Sequence, residues 1–262
     1  MPEMDDVNRR TYARSDVVDI LRARSGAIDA GEAAVLERIG AAVRGAPILD
    51  LGVGGGRTIP LLRALSEDYT ALEYVEELVS AARAAHPGVR IEHGDARDLS
   101  RFRDESFALV FFSFNGIDCL PHEDRPRVFR EARRVLRPGG VFAYSTHNVP
   151  PGRSAIPMWR VAARSVVMHP HRALRHLPQL PAALRARRRG RELSTTGDGW
   201  LVAPDPSYGF ALVLHHVTLA EAQRETRDAG FSDTEVYASD GERLQPEADE
   251  STTLWFHVLA HV

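Results

Sequence analysis

The residues with the clearest chemical potential lie where a short apolar run breaks into glycines. Ile48-Leu-Asp-Leu51 carries Asp50 and is followed by Gly52, Gly54, Gly55 and Gly56. A helix pattern opens directly afterwards, with Pro60 in its first turn, where a missing N–H does no harm. A strand running through a glycine turn into a helix offers bare backbone to a ligand at the carboxyl end of the strand. The dinucleotide fingerprint requires a glycine at position 57, and this chain has Arg57 there. What remains, D-x-G-x-G-x-G, aims a carboxylate into the turn, an arrangement that suits a cationic amino-acid tail better than a pyrophosphate. Tyr69–Leu72 reads as a second buried strand ending in Glu73. An acidic residue about twenty positions beyond the glycines is placed to bind a ribose diol. The competing reading is that Glu73 only extends the acidic first turn of the next helix, beside Glu76 and Glu77. A third strand, Val89–His93, leads into Gly94-Asp95-Ala96, by itself no more than a turn signal.

Further along, Phe107–Phe112 is apolar without alternation, as expected of a parallel strand covered on both faces. It runs into Ser113-Phe114-Asn115-Gly116. A helix pattern from Glu123 to Leu136 ends in Arg137-Pro-Gly-Gly140, a strong stop signal, before a strand at Val141–Ser145. Taken in order, the glycine turn, the acidic strand ends and the LRPGG element resemble motif I through post-motif III of the class I S-adenosylmethionine-dependent methyltransferases. That resemblance covers residues 48–146 well, the C-terminal strands loosely and residues 148–208 hardly at all. It implies an α/β, Rossmann-like, seven-stranded and mostly parallel sheet with helices on both faces, plus a helical cap insertion after the fifth strand. It also implies S-adenosyl-L-methionine as cofactor, with S-adenosyl-L-homocysteine as its product. The implied cofactor residues are Asp50, Gly52, Gly54, Gly56, Glu73, Tyr74, Asp95, Ala96, Ser113 and Phe114. Within it, Asp95 would face the adenine amine, and Phe114 the region of the methyl group.

Methyl transfer from an activated sulfonium rests largely on alignment of the reacting atoms, and a hydroxyl acceptor gains from a nearby base. Candidates at strand ends are Asn115, His147 and His216, with His215, Asp118 and His122 close by. Tyr12, expected ahead of the first helix, resembles the N-terminal tyrosine that closes over the cofactor in this family. Alternation along 215–216 lets only one of the two histidines face a pocket. For every single histidine a structural role competes with a catalytic one. No metal is expected.

Composition removes rivals. All 33 basic residues are arginine, so a P-loop lysine, a Schiff base and a pyridoxal-phosphate site are excluded. A single cysteine, Cys119, excludes disulfide frameworks, Cys-rich zinc sites and iron–sulfur clusters. A net charge of −3 with 44% hydrophobic residues fits a globular enzyme. No leader or membrane-spanning run is evident, and a cytoplasmic protein is expected.

The chain divides into N-terminal helices (1–45, with patterns around Asp16–Arg24 and Glu32–Arg44), a core (46–147 and 209–262) and an Arg-rich segment (148–208). Five alternating β/α units fill 46–146. Thr218 and Glu221 form a capping box for a helix ending at Ala229-Gly230, and Phe231–Ala238 and Thr253–His261 alternate as strands. The Arg-rich segment holds ten arginines, with His169, His171 and His176. It reads as a solvated helical insertion, as a lid over the substrate, or as a nucleic-acid surface. The amino-directed DNA methyltransferase motif is absent at 113–116, and Cys119 lacks the preceding proline of the cytosine-C5 enzymes. The expected function is methyl transfer to an N or O atom of a small metabolite, including natural-product tailoring. An RNA methyltransferase using the arginines and a non-catalytic cofactor-binding protein of the same fold remain as alternatives. The expected partner is a small-molecule substrate, with neither membrane nor nucleic acid.

Overall fold

The computed structural model describes residues 3–149, 180–245 and 253–262. At its centre are the apolar strands β1 (Ile48–Leu51), β2 (Tyr69–Glu73) and β4 (Phe107–Phe112), buried on both faces. With β3 (Arg90–His93) and β5 (Leu136–Asn148) they pair in parallel in the order β3-β2-β1-β4-β5. Alternate side chains of each strand enter opposite layers. Val110, Phe112, Phe142 and Tyr144 pack toward α6 (Arg125–Val135) and α8 (Leu219–Asp228); Leu109, Phe111, Val141 and Ala143 pack toward α3 (Ala30–Val43). Helices on both faces of a parallel sheet, joined by crossovers, make the doubly wound α/β architecture the sequence implied.

The last strand, β11 (Trp255–His261), inserts antiparallel between β5 and β9 (Asp233–Ala238), and β10 (Arg243–Leu244) edges the sheet. Half of the capping box forms: the Thr218 hydroxyl accepts from Glu221 N, while Thr218 N donates to the Gly199 carbonyl and the Glu221 carboxylate pairs with Arg224; Gly230 closes the helix in the left-handed region. Helices α2 (Ser15–Arg22) and α3 fall close to the expected positions. Between β1 and β2 lies α4 (Ile59–Arg63), with proline in its first turn, and α5 (Glu76–Ala85) follows β2.

Several expectations need correction. An additional helix, α1 (Met4–Tyr12), precedes the others, so Tyr12 is its last residue rather than lying ahead of the first helix. It escaped the apolar pattern because it docks through polar groups: Asn8 bonds both the carbonyl and the N–H of Val213, and Thr11 bonds the Ala211 carbonyl. The β3–β4 connection carries no helix, so the β/α alternation is interrupted there. Leu136 leaves the helix one residue earlier than the pattern implied, and Arg137–Gly140 form an irregular start to β5, with a register shift against β4.

Among the described residues the sheet has eight strands along its main order and a branch of three more, an enlargement of the expected seven-stranded core. That branch is β6 (Thr195–Gly197), β7 (Trp200–Asp205) and β8 (Leu212–Val217), an antiparallel meander whose β8 joins the end of β5. The described part of the 148–208 segment holds one helix, α7 (Leu180–Glu192), and the strands β6 and β7. Residues 150–179, with His169, His171 and His176, lie outside the described residues. Among the described residues no helix is long and apolar enough to cross a membrane.

Candidate active site

The glycine turn folds as its spacing demands. Gly52 and Gly54 have φ of +62° and +58°, a region closed to most side chains. A Cβ on Gly54 would meet nothing within 4 Å, so its backbone faces an open cleft. Glu73, at the tip of β2 and 5% exposed, accepts from Gly54 N and Val75 N, both at 2.8 Å. One carboxylate thus ties the glycine loop to the second strand end. Burial raises its pKa, opposed by those backbone N–H groups. Tyr74, Asp95, Ala96, Ser113 and Phe114 line the same cleft, as do Asp50, Gly52 and Gly54. Gly56 is also left-handed, at φ +94°, but packs against His86 outside the cleft lining.

Two acidic residues are more occupied than the sequence suggested. The Asp50 carboxylate, 1% exposed, accepts from the Thr58 hydroxyl at 2.5 Å and the Tyr69 hydroxyl at 2.7 Å. It stitches the strand end to the next helix rather than standing free in the turn. Burial pushes its pKa up to about 7 despite those bonds. Asp95 is gripped by the Arg97 guanidinium, which also reaches Asp5 of α1 and Asp124. That four-residue ion cluster closes the mouth of the cleft with α1.

The residue that breaks the dinucleotide fingerprint has a structural task. Arg57, largely buried, pairs bidentately with Glu32 and donates to the Ser113 hydroxyl at 2.5 Å and to the Ala27 carbonyl. It joins α3, the glycine turn and the end of β4, and its guanidinium lies 5.0 Å from the Phe114 ring centre. Local sequence gives no hint of it, because its partners are 25 and 56 residues away.

Phe114 and Asn115 both adopt φ above +50°, at +53° and +57°. Left-handed non-glycine residues cost on the order of 1–3 kcal/mol each and persist where surrounding structure forces them. The turn keeps the Phe114 ring half exposed between two cavities. One is the glycine-loop cleft; the other, about 430 Å³, is lined by Asn115, Ser145, His147, Tyr208, Trp255 and His257 among others. Tyr12, Leu21 and Phe114 border both.

His147 is the imidazole of the second cavity whose orientation is most firmly fixed. Asp118, fully buried, accepts from its Nδ1 at 2.8 Å and its backbone N at 2.7 Å, as well as from Thr146 and Arg125. With Nδ1 carrying the proton, Nε2 keeps its lone pair; the Asn115 amide nitrogen lies 3.2 Å away. Burial alone would lower the His147 pKa, but the Asp118 hydrogen bond and charge outweigh it and raise the pKa. Arg125, itself fully buried, braces Asp118 and pairs bidentately with Glu225.

The other histidines divide as strand alternation requires. His216 shares the face of Leu212 and Leu214 but lies outside the residues lining the two cavities, its ring centre 5.2 Å from that of His147. Burial and the neighbouring His147 drop its pKa to about 4. His215 points to the opposite face, stacked with His122 and Trp200. His122, Glu221 and Glu225 approach one another as a metal site would, but Arg224 and Arg125 already neutralise the two carboxylates. Cys119 lies against the Tyr12 hydroxyl, and burial pushes its thiol up to about 12.

Fold and cleft together resemble those of the class I, Rossmann-like S-adenosylmethionine-dependent methyltransferases. A family profile described as a methyltransferase domain matches residues 48–140. The chain is 35% identical over 114 residues to a probable S-adenosylmethionine-dependent methyltransferase of Mycolicibacterium smegmatis, covering 44% of this chain and 43% of that protein. It is 33% identical over 154 residues to a putative O-methyltransferase of Mycolicibacterium vanbaalenii, covering 52% of this chain and 66% of that protein. The chain thus spans less than half the length of the first of these relatives. Its fold is similar to that of CalS10, an amino pentose methyltransferase from Micromonospora echinaspora solved with S-adenosylmethionine bound. The TM-score is 0.54 at 19% identity, over 88% of this chain and 91% of that one. S-adenosylmethionine, the methyl donor that this resemblance implies, would fit the cleft, which offers bare Gly54 backbone, a buried carboxylate at Glu73 placed for a diol, and Asp95 and Ala96 beyond it.

Proposed function

We propose that the protein transfers a methyl group from S-adenosylmethionine to an oxygen or nitrogen of a small metabolite, in the cytoplasm. The observation that carries this reading is the shared border of the two cavities: Phe114 and Tyr12 separate the glycine-loop cleft from a chamber holding an Asp-bound histidine. Bound in the cleft, the cofactor supplies an electrophilic methyl that needs no further activation. Glu73 would hold its diol, Asp95 its adenine amine, and the backbone of Gly52 and Gly54 its amino-acid portion. Phe114 and Tyr12 keep water from the junction, and Asn115 orients the acceptor.

The balance of the step is simple. The acceptor's O–H or N–H bond breaks and its proton passes to His147 Nε2. The cofactor, when bound, would supply its methyl to the acceptor and keep the sulfur–methyl electron pair on its sulfur. Asp118 stabilises the imidazolium that results, which is why its charge sits directly behind Nδ1. A chamber of about 430 Å³ suits a small molecule. The kinship with a putative O-methyltransferase and the likeness to an amino pentose methyltransferase support a natural-product or related metabolite as acceptor.

The test combines calorimetry with S-adenosylhomocysteine and a methyl-transfer screen using labelled cofactor. Binding in the micromolar range and turnover of a small acceptor are expected. His147→Gln should reduce turnover roughly a hundredfold or more if His147 is the base, with the acidic limb of the pH–rate profile removed. Absence of binding heat with folded protein would refute the reading at its root.

A further inference from the structure

The second cavity contains another imidazole that proton transfer to His147 does not use. His257 lies on β11 in register with Ser145, while His147 lies on β5 in register with Trp255. Alternate residues of a strand share a face, so Ser145, His147, Trp255 and His257 form one patch on the chamber floor. All four line the chamber. The two histidines occupy diagonal corners. Diagonal neighbours on an antiparallel pair lie roughly 7–8 Å apart: too far to bond one another, and close enough to address two groups of one small molecule.

His257 is 4% exposed, and its Nε2 has no well-formed hydrogen bond. Asp29 Oδ1 lies 3.0 Å from that nitrogen, an ionic distance, but out of line with the ring N–H. Asp29 is itself fixed: as N-cap of α3 it accepts from Glu32 N at 2.7 Å, and its other oxygen accepts from Trp255 Nε1 at 2.8 Å. Burial pushes its pKa up, but His257 and these donors outweigh burial and hold the pKa at about 2. Asp29 therefore stays charged beside His257. Gly31 permits the arrangement, since a Cβ there would fall 2.5 Å from the His257 ring. With Nε2 covered and turned to Asp29, Nδ1 is the ring nitrogen that a ligand in the chamber can reach. Tyr12, Phe114, Tyr208 and Trp255 add flat walls suited to a ring.

We infer that His257, backed by Asp29, is a specificity-determining residue of the acceptor chamber, and that the acceptor is a ring-sized molecule bearing two polar groups, one presented to His147 and the other held by His257. This rests on the methyl-transfer reading for which group is modified; His257 itself makes a hydrogen bond and takes part in no bond exchange.

The experiment uses the full chain with S-adenosylhomocysteine, ring-labelled histidine, and three probes: phenol with one polar group, catechol and resorcinol with two. Nuclear magnetic resonance follows the imidazole C–H signals, assigned with His147→Gln and His257→Gln. Catechol or resorcinol is expected to shift both signals and to bind at least tenfold more tightly than phenol, which shifts that of His147 alone. In His257→Phe the preference should fall to within twofold. Asp29→Asn, which retains a good N-cap, should weaken the preference several-fold and guards against a folding defect in the first variant. Two-group probes that leave the His257 signal unmoved, that bind no better than phenol, or that do not bind at all would overturn the inference. Failure of the methyl-transfer reading shows differently: no heat with S-adenosylhomocysteine, or probes that engage both histidines yet receive no labelled methyl.

Discussion

Replacing Asp118 by asparagine removes the anion that both orients His147 and offsets a buried guanidinium. The carboxylate accepts four bonds: from Arg125 Nη1 at 3.0 Å, Thr146 Oγ1 at 2.5 Å, His147 N at 2.7 Å and His147 Nδ1 at 2.8 Å. Asparagine can keep the first two on its oxygen, but its NH2 then faces two donors. Each donor stranded in the interior costs about 1–3 kcal/mol. Arg125 loses half its counter-charge and retains Glu225, whose two bonds at 2.7 and 2.8 Å are intact. The total should fall near 3–5 kcal/mol, the range for breaking a buried pair, or roughly 10 °C in melting temperature.

The loss should also depend on pH. The folded pKa of His147 is raised above the ordinary 6.5 of a histidine, so its contribution is full below the unfolded pKa and is lost as pH rises through the folded one. Urea denaturation of wild type and Asp118→Asn should therefore show the largest gap in acid. A smaller, pH-independent remainder from Arg125 should persist in alkali. A gap below about 1 kcal/mol, or a His147 titration midpoint identical in the two proteins, would refute the claim that Asp118 holds and charges this histidine.

Three further outcomes are expected. Glu73→Ala should weaken S-adenosylhomocysteine binding by about 3 kcal/mol, roughly a hundredfold by calorimetry, because two charge-assisted bonds to a diol are lost along with the tie to Gly54; a change under threefold would remove Glu73 from the cofactor site. Asp50 has a folded pKa of about 7 against 3.8, so its contribution is full below pH 3.8 and lost as pH rises to about 7, at most about 4 kcal/mol. Asp50→Asn should flatten that part of the stability profile, and an unchanged slope would contradict it. Cys119, its thiol pushed to about 12, should resist Ellman's reagent at pH 8 in the native protein and react at once in urea; rapid native labelling would mark it as an exposed thiolate.

How much of this was written in the chain follows from the range of each interaction. The glycine turn, the acidic strand ends and the helix caps are local: each depends on residues within a few positions, and each stands where the spacing put it. The parallel order of the core strands was also legible, since unalternating apolar runs separated by helix patterns have few other ways to bury both faces. The position of Tyr12 was not legible, because α1 docks through Asn8 and Thr11 to a strand some two hundred residues away. Nor was the meander within the Arg-rich segment, whose strands gain their partner only by adding to β8. The pairing of His147 with Asp118 spans 29 residues, that of Arg57 with Ser113 56, and that of Trp255 with Asp29 226. Sequence therefore determined the cofactor cleft, which a contiguous backbone motif builds. Tertiary structure alone decided which histidines pair with a carboxylate and line the second cavity, because a pKa and an orientation come from neighbours that only folding brings together.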